Sequence, residues 1–225
     1  MIGISQPTVF PWLGYFNMIK QCDIFVILDN VKFEKHSWQM RNRIKEISNN
    51  KESFTWLRIP TIVRNSNTLI KDVLIDNSQN WKEKHVKSLK INYGKNYDTV
   101  DFVNKIYEKD WNKLVDFTLE SINQTCKFLE ISTKIILASE LNVEGKKSYL
   151  VYNICKKLGA DRYLAAAGSK NYLDNDRKIF DDNKIIIVYH QYKHPIYKQK
   201  GSEFIPNLSI LDLIFNEKEN SKNWI

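Results

Sequence analysis

Glycine and proline are scarce, 7 and 5 in 225 residues, which argues against a disordered or loop-dominated chain. Cysteine is scarcer still. Cys22, Cys126 and Cys155 are isolated and odd in number, so neither a disulfide framework nor a metal site is expected. Cys22 and Cys155 sit within the apolar segments YFNMIKQCDIF and YLVYNICKKLG, where a thiol normally serves packing. No apolar run approaches the roughly 20 residues needed to cross a bilayer, and no charged n-region leads into an apolar h-region. The expected location is therefore a reducing compartment, the cytoplasm. Acidic residues are outnumbered, 26 to 34, giving a net charge of +8 and a pI near 9.2. That balance suits nucleic acid, an anionic membrane or phosphorylated small molecules. Much of the excess lies in Lys-rich stretches, 82–90 and 193–200, that read as solvated surface. Basic and aromatic residues form no stripe along the chain, so nucleic acid is not the expected partner.

What is present suits a single α/β domain over residues 1–225. Hydrophobic residues at 43% and aromatics at 12% can bury a sizeable core. MIGISQP is a short apolar run stopped by Pro7 and reads as a buried strand. The turn TVFPWLG follows, and in GYFNMIKQCD the residues Tyr15, Met18, Ile19 and Cys22 recur at helical spacing. IFVILDN is a second strand, ended by Asp29 and Asn30. Strand, helix and strand in this order imply two parallel neighbours in one sheet. FTWLRIPTI, closed by Pro60, is a third strand candidate and IKDVLID a fourth. From Trp81 to about Leu141 the pattern turns helical, and residues 81–130 are expected to form a helical insert or subdomain. Beyond it come the strand KIILASEL and the helix KSYLVYNICKKLGA, with Gly159 at its C-terminus. The strands DRYLAAAGS and KIIIVYHQY and the helix SILDLIFNEK, capped by Ser209, complete the chain. Alternation of this kind predicts a layered α/β sheet.

Ligands of open parallel sheets gather beyond the carboxyl ends of the strands. The first strand delivers Gln6, Pro7, Thr8 and the turn Phe10-Pro11-Trp12 there. The second delivers Asp29 and Asn30, then Lys35, His36, Trp38, Arg41, Asn42 and Arg43. Arginine suits bidentate capture of phosphate or carboxylate, so a ligand site is expected from Gln6 to Arg43. The structural alternative is an ion pair of Asp29 with Arg41 or Arg43. Gly168 and Ser169, ahead of Tyr172, form a polar turn at another strand end, where backbone N–H groups can meet an anion. No Gly-x-Ser-x-Gly elbow and no phosphate loop of the Gly-x-x-x-x-Gly-Lys-Ser/Thr type is found.

ISQPTVFPWLGYF, followed by DIFVILDNVKFEKHSWQMRNRIK, resembles the opening signature of the WbqC-like proteins. The resemblance continues through WLRIP, WKEKHVKSLKINYGK, GKKSYLVYNICKKLGADRYLAAAGSKNYLD, YKHPIYKQ and FIPNLSILDLIFN, covering nearly the whole chain in order. It implies a role in bacterial O-antigen or capsule synthesis, or in amino-sugar metabolism. It also draws Tyr15, Tyr197 and Gln199, which lie inside the matching strings, into the expected substrate site. The order of the first elements is similar to that of adenylate-forming and nucleotidyl-transferring enzymes such as pantothenate synthetase. The fold so implied is a Rossmann-like, parallel-rich sheet flanked by helices, with a helical insert. Those enzymes carry a paired-histidine turn at the helix start; FPWLGYF has none, which sets ATP-dependent adenylation aside.

The expected chemistry is transfer of an acyl or aminoacyl group to a nucleotide-linked amino sugar. The thioester donor would be coenzyme A or an acyl carrier protein, with no bound cofactor and no metal. Gln6, Trp38, Arg41 and Arg43 would grip the nucleotide or a carboxylate, helped by Pro7, Tyr15, Lys35, Asn42, Ser169, Tyr172, Tyr197 and Gln199. His85, His194 or Asp29 would take the proton, histidine because it titrates near neutrality. His36 reads as a ligand contact, and His190, alternating with Gln191, as facing out. The alternative is a non-catalytic binding or scaffold protein of the same pathway.

Overall fold

The computed structural model describes residues 1–48 and 51–225. Five short strands form the central sheet: β1 (Ile2–Ser5), β2 (Ile24–Ile27), β7 (Lys134–Leu137), β8 (Arg162–Ala165) and β9 (Ile186–Tyr189). Their order across the sheet is β7-β2-β1-β8-β9, and every neighbour pair is parallel. Parallel neighbours need crossovers. Helix α1 (Leu13–Lys20) joins β1 to β2, α5 (Ser148–Lys157) joins β7 to β8, and α6 (Lys170–Asn175) with α7 (Arg177–Asp181) joins β8 to β9. This is a Rossmann-like α/β fold.

Both sheet faces are covered, so the strands read as continuous apolar runs yet still alternate in space. Ile2, Ile4, Val26, Tyr163 and Ile187 pack with Leu150, Ile154 and Phe180 of the α5–α7 layer. Phe25, Ile27 and Leu164 pack on the other side with α1 and with α8 (Ile210–Glu217). Gly3 faces this second layer, where an added Cβ would fall 2.7 Å from Cys22 Sγ. Helix α1 buries six of its eight residues, because the sheet lies on one side and the helical lobe on the other. The cap of α8 is as expected: Ser209 accepts from the backbone N–H of Leu211.

Between β2 and β7 the chain leaves the sheet for more than a hundred residues. It first builds an antiparallel hairpin, β3 (Arg41–Ser48) and β4 (Lys51–Arg58), paired from Arg41–Arg58 to Ser48–Lys51. A small ladder of β5 (Thr61–Ile62) with β6 (Leu74–Ile75) follows. Then come α2 (Trp81–Tyr93), α3 (Asp101–Glu108) and α4 (Leu114–Phe128). FTWLRIPTI thus lies outside the central sheet, and WQMRNRIK, given no strand by its sequence, supplies the partner. Trp81, Tyr107 and Phe117 of the helices share one core with Phe10 and Leu13 of the first crossover. His190, expected to face out, is buried just after β9, with Nε2 2.8 Å from Asn17 Oδ1.

Candidate functional site

The strand order turns back between β1 and β8, the place where an open parallel sheet leaves a crevice. A cavity of about 350 Å³ lies there, walled by Ser5, Gln6 and Thr8 after β1, Ala166 and Ser169 after β8, Tyr172 of α6, and Glu34, Ser37, Trp38 and Gln39. Two further lobes share its walls. One, of about 310 Å³, adds Trp12, Tyr15, Asn42, Arg43 and Asn207. The other, of about 720 Å³, adds Asn30, Lys32, Lys146 and Lys147. The crevice falls in the usual size range of small-molecule sites.

Hydrogen bonds fix these walls. Gln6 Oε1 accepts from Gln39 Nε2 at 2.8 Å, and the Gln6 carbonyl accepts from the Tyr15 hydroxyl at 3.1 Å. Asn42 Nδ2 donates to the carbonyls of Val9 (2.9 Å) and Phe10 (2.7 Å), while Val9 N–H donates to the Trp38 carbonyl at 3.1 Å. On the far side Ser209 N–H donates to the Arg43 carbonyl at 2.8 Å. The loop after β1 is thereby stitched to β3. Gly14 is required here because a Cβ would strike the Trp12 indole that walls the second lobe. Burial raises the Tyr15 phenol well above its ordinary pKa, so Tyr15 serves as a hydrogen-bond donor.

Arg41 and Arg43 alternate on one face of β3 and stack on aromatic rings. The Arg41 guanidinium carbon lies 4.1 Å from the Trp56 ring centre; that of Arg43 lies 4.6 Å from Phe54 and 5.2 Å from Trp38. Among the described residues no carboxylate comes within 4.0 Å of either. The Asp29 ion pair is therefore not formed. Asp29 is buried and accepts from Ser139 N–H at 2.9 Å and Ser139 Oγ at 2.6 Å. Its carboxylate ties the end of β2 to the turn after β7.

The sequence-predicted residues thus fall into two sets. Gln6, Tyr15, Trp38, Asn42, Arg43, Ser169 and Tyr172 meet around the crevice. Pro7 is buried in the same loop; Arg41 stands beside Arg43, and Lys35 and His36 are exposed on the segment leading to Trp38. The remainder lie apart. His85 is buried between α2, α3 and β4, with Nδ1 3.1 Å from the Tyr107 hydroxyl and Nε2 2.9 Å from the Arg58 carbonyl. Burial pushes its pKa down to about 4. Tyr197 and Gln199 belong to a buried cluster in which Tyr93 and Tyr197 each donate to Asp212 at 2.7 Å. His194 Nε2 accepts from Asn207 N–H at 3.2 Å and Nδ1 faces the Pro195 carbonyl at 2.8 Å, so both ring nitrogens are engaged. It holds Asn207 at the rim of the second lobe.

Glu34, Gln39 and Asn207 were not singled out by sequence, nor were Phe54 and Trp56; Trp12 entered as part of the FPW turn. The alternating aromatics of ESFTWLR were the available signal for the last two. Among the described residues no three His, Cys, Asp or Glu side chains cluster as metal ligands. The three thiols are buried with pKa values pushed up to about 12, so none offers a thiolate at neutral pH. No helix among the described residues is long and apolar enough to cross a membrane.

Fold and site together define a doubly wound α/β protein with a crevice at its switch point and, beside it, two guanidiniums that meet no carboxylate among the described residues. The model of the WbqC-like protein family matches residues 6–224, and the chain belongs to that family. An uncharacterized protein of Mycobacterium tuberculosis is 29% identical over 230 residues, spanning 100% of this chain and 96% of its own. No solved structure matches.

Proposed function

We propose that the protein transfers an acyl or aminoacyl group from a thioester to a nucleotide-linked amino sugar of surface-polysaccharide synthesis. The observation that carries this reading is a lobed crevice at the switch point whose rim holds two arginines without carboxylate partners. Two substrates need two lobes. An anionic ligand needs unpaired cations, and guanidiniums suit phosphates in particular. In the reaction the sugar amine attacks the thioester carbonyl carbon, the C–N bond forms, the C–S bond breaks, and the thiol leaves with the proton the amine gives up. Tight positioning of amine and thioester supplies much of the rate. With all three thiols inert, direct attack fits better than an acyl-cysteine intermediate.

Of the carboxylates and imidazoles among the described residues, Glu34 is the one that lines both the central lobe and its larger neighbour. Asp29, His85 and His194 have their polar atoms engaged elsewhere. Glu34 is the base in this scheme. The test is incubation of the protein with acetyl-coenzyme A or an acylated carrier protein and a panel of UDP- and dTDP-linked amino sugars, with amide formation read by mass spectrometry. Glu34→Gln is expected to lower turnover by roughly 10²- to 10⁴-fold, the usual worth of a general base. Nucleotide sugars that raise the melting temperature while no thioester is consumed would establish the non-catalytic binding protein instead.

A further inference from the structure

We infer that the outward face of the β3–β4 hairpin is a nucleoside-diphosphate subsite, an assignment that rests on the nucleotide-linked acceptor proposed above. Hairpin register places Arg43 opposite Trp56 and Arg41 opposite Arg58, with Phe54 two residues away on the same face. Trp38 joins from the preceding segment, its ring centre 5.6 Å from that of Trp56, while Phe54 lies 5.8 Å from Trp56 on edge. The three rings remain 46% (Trp38), 38% (Trp56) and 36% (Phe54) exposed, although the hairpin's other face is packed through Ile44 and Leu57. Large aromatics left this open beside unpaired cations are what a stacking ligand requires, and stability alone does not call for them.

Each guanidinium covers part of a ring and keeps its N–H donors in its own plane; one Arg43 Nη2 donor is engaged by the Asn207 carbonyl at 3.4 Å, and the others can meet an anion. The Arg43 Nε is buried and has no acceptor, a donor still awaiting its partner. The rings' open faces offer stacking for a base. Trp38 and Arg43 also line the inner lobe with Ser5 and Thr8, so the ledge runs directly into the crevice. A nucleotide sugar laid along it has its base on Trp56 and Trp38, its diphosphate at Arg41 and Arg43, and its sugar inside near Gln6. Three rings in a row accommodate one or two bases. A single-strand binder tracks about four nucleotides or more.

The experiment titrates the intact protein with UDP, dTDP, GDP, uridine, inorganic pyrophosphate and an eight-nucleotide oligothymidylate by calorimetry. At least one nucleoside diphosphate is expected to bind ten-fold or more tightly than either uridine or pyrophosphate. Trp56→Ala is expected to weaken it ten-fold or more and Trp56→Phe far less, with melting temperatures followed to show that both fold. Arg43→Lys, which keeps charge but loses the fork, is expected to weaken the diphosphate more than uridine. Equal binding of pyrophosphate and nucleoside diphosphate overturns the subsite, as does a nucleoside diphosphate indifferent to Trp56→Ala. Oligothymidylate binding that outcompetes the mononucleotides and falls steeply with salt also overturns it, assigning the face to nucleic acid. Acyl transfer with a sugar-nucleotide KM unchanged in Trp56→Ala would sink the subsite and leave the transferase standing. Diphosphate binding to the ledge without transfer would do the reverse.

Discussion

His85 makes the pH dependence of folding predictable. In the folded chain burial holds its pKa near 4, against 6.5 for an unperturbed histidine. Between those values the unfolded chain binds a proton that the folded chain refuses, so stability rises with pH across the window and is lost as pH falls through it. At 1.36 kcal/mol per pKa unit, the depression corresponds to about 3 kcal/mol when the loss is complete below pH 4, most of it already gone by pH 4.5. The perturbation is His85→Gln, whose side-chain amide can accept from the Tyr107 hydroxyl and donate to the Arg58 carbonyl without titrating. Urea unfolding of both proteins at pH 7.5 and 4.5 is the assay. His190 is also lowered by burial and shifts stability in the same direction, but it contributes equally to both proteins and cancels in the difference. The wild type should lose about 2 to 3 kcal/mol more than the variant over this interval. Equal losses would refute the reasoning, because His85 would then be no harder to protonate folded than unfolded.

Two further substitutions test the frame of the site. Gly3→Ala brings a Cβ to 2.7 Å from Cys22 Sγ and 2.8 Å from Phe25 Cδ2, and should cost about 1–3 kcal/mol in denaturant unfolding. Cys22→Ala in the same chain should restore part of it, and no restoration would mean that the thiol is not the obstacle. Asp29→Ala strips the acceptors from Ser139 N–H and Oγ and should lower stability by about 1–3 kcal/mol, while folded protein keeps its ligand affinity. Turnover abolished at unchanged melting temperature would instead make Asp29 a participant in the chemistry.

The central sheet was legible because its strands lie in short apolar runs, MIGIS, IFVIL, KIIL, RYLAAA and KIIIVY, most of them bounded by breakers. The helices between Trp81 and Phe128, α5 and α8 were legible through their spacing; α6 and α7, short and polar, were read as no more than a turn. Strand β3 was not. Arg41, Arg43 and Lys45 alternate with Asn42, Ile44 and Glu46, leaving one buried aliphatic residue, Ile44, to mark the inner face. Without β3 the aromatics of β4 had no arginines opposite them, and the stripe that linear sequence lacks is assembled only by pairing. The grouping of residues around the crevice was legible where one stretch of chain supplies them, as with Gln6, Trp38, Asn42 and Arg43. Histidines were weighed by residue type, and type does not reveal that His85 lies between Tyr107 and Arg58. Asn207 reaches the crevice from the far end of the chain, held by His194, a long-range placement that no local pattern announces.

The bonds from Asn42 to the carbonyls of Val9 and Phe10 have a consequence for selectivity. They lock the hairpin to the strand end, so the span from the aromatic rim to the floor beside Gln6 is set by backbone. A ligand seated at one end meets the other only if its own reach matches that span. If the crevice binds as proposed, it gauges length as well as charge. Fragments too short to bridge it can occupy either end but cannot connect the two.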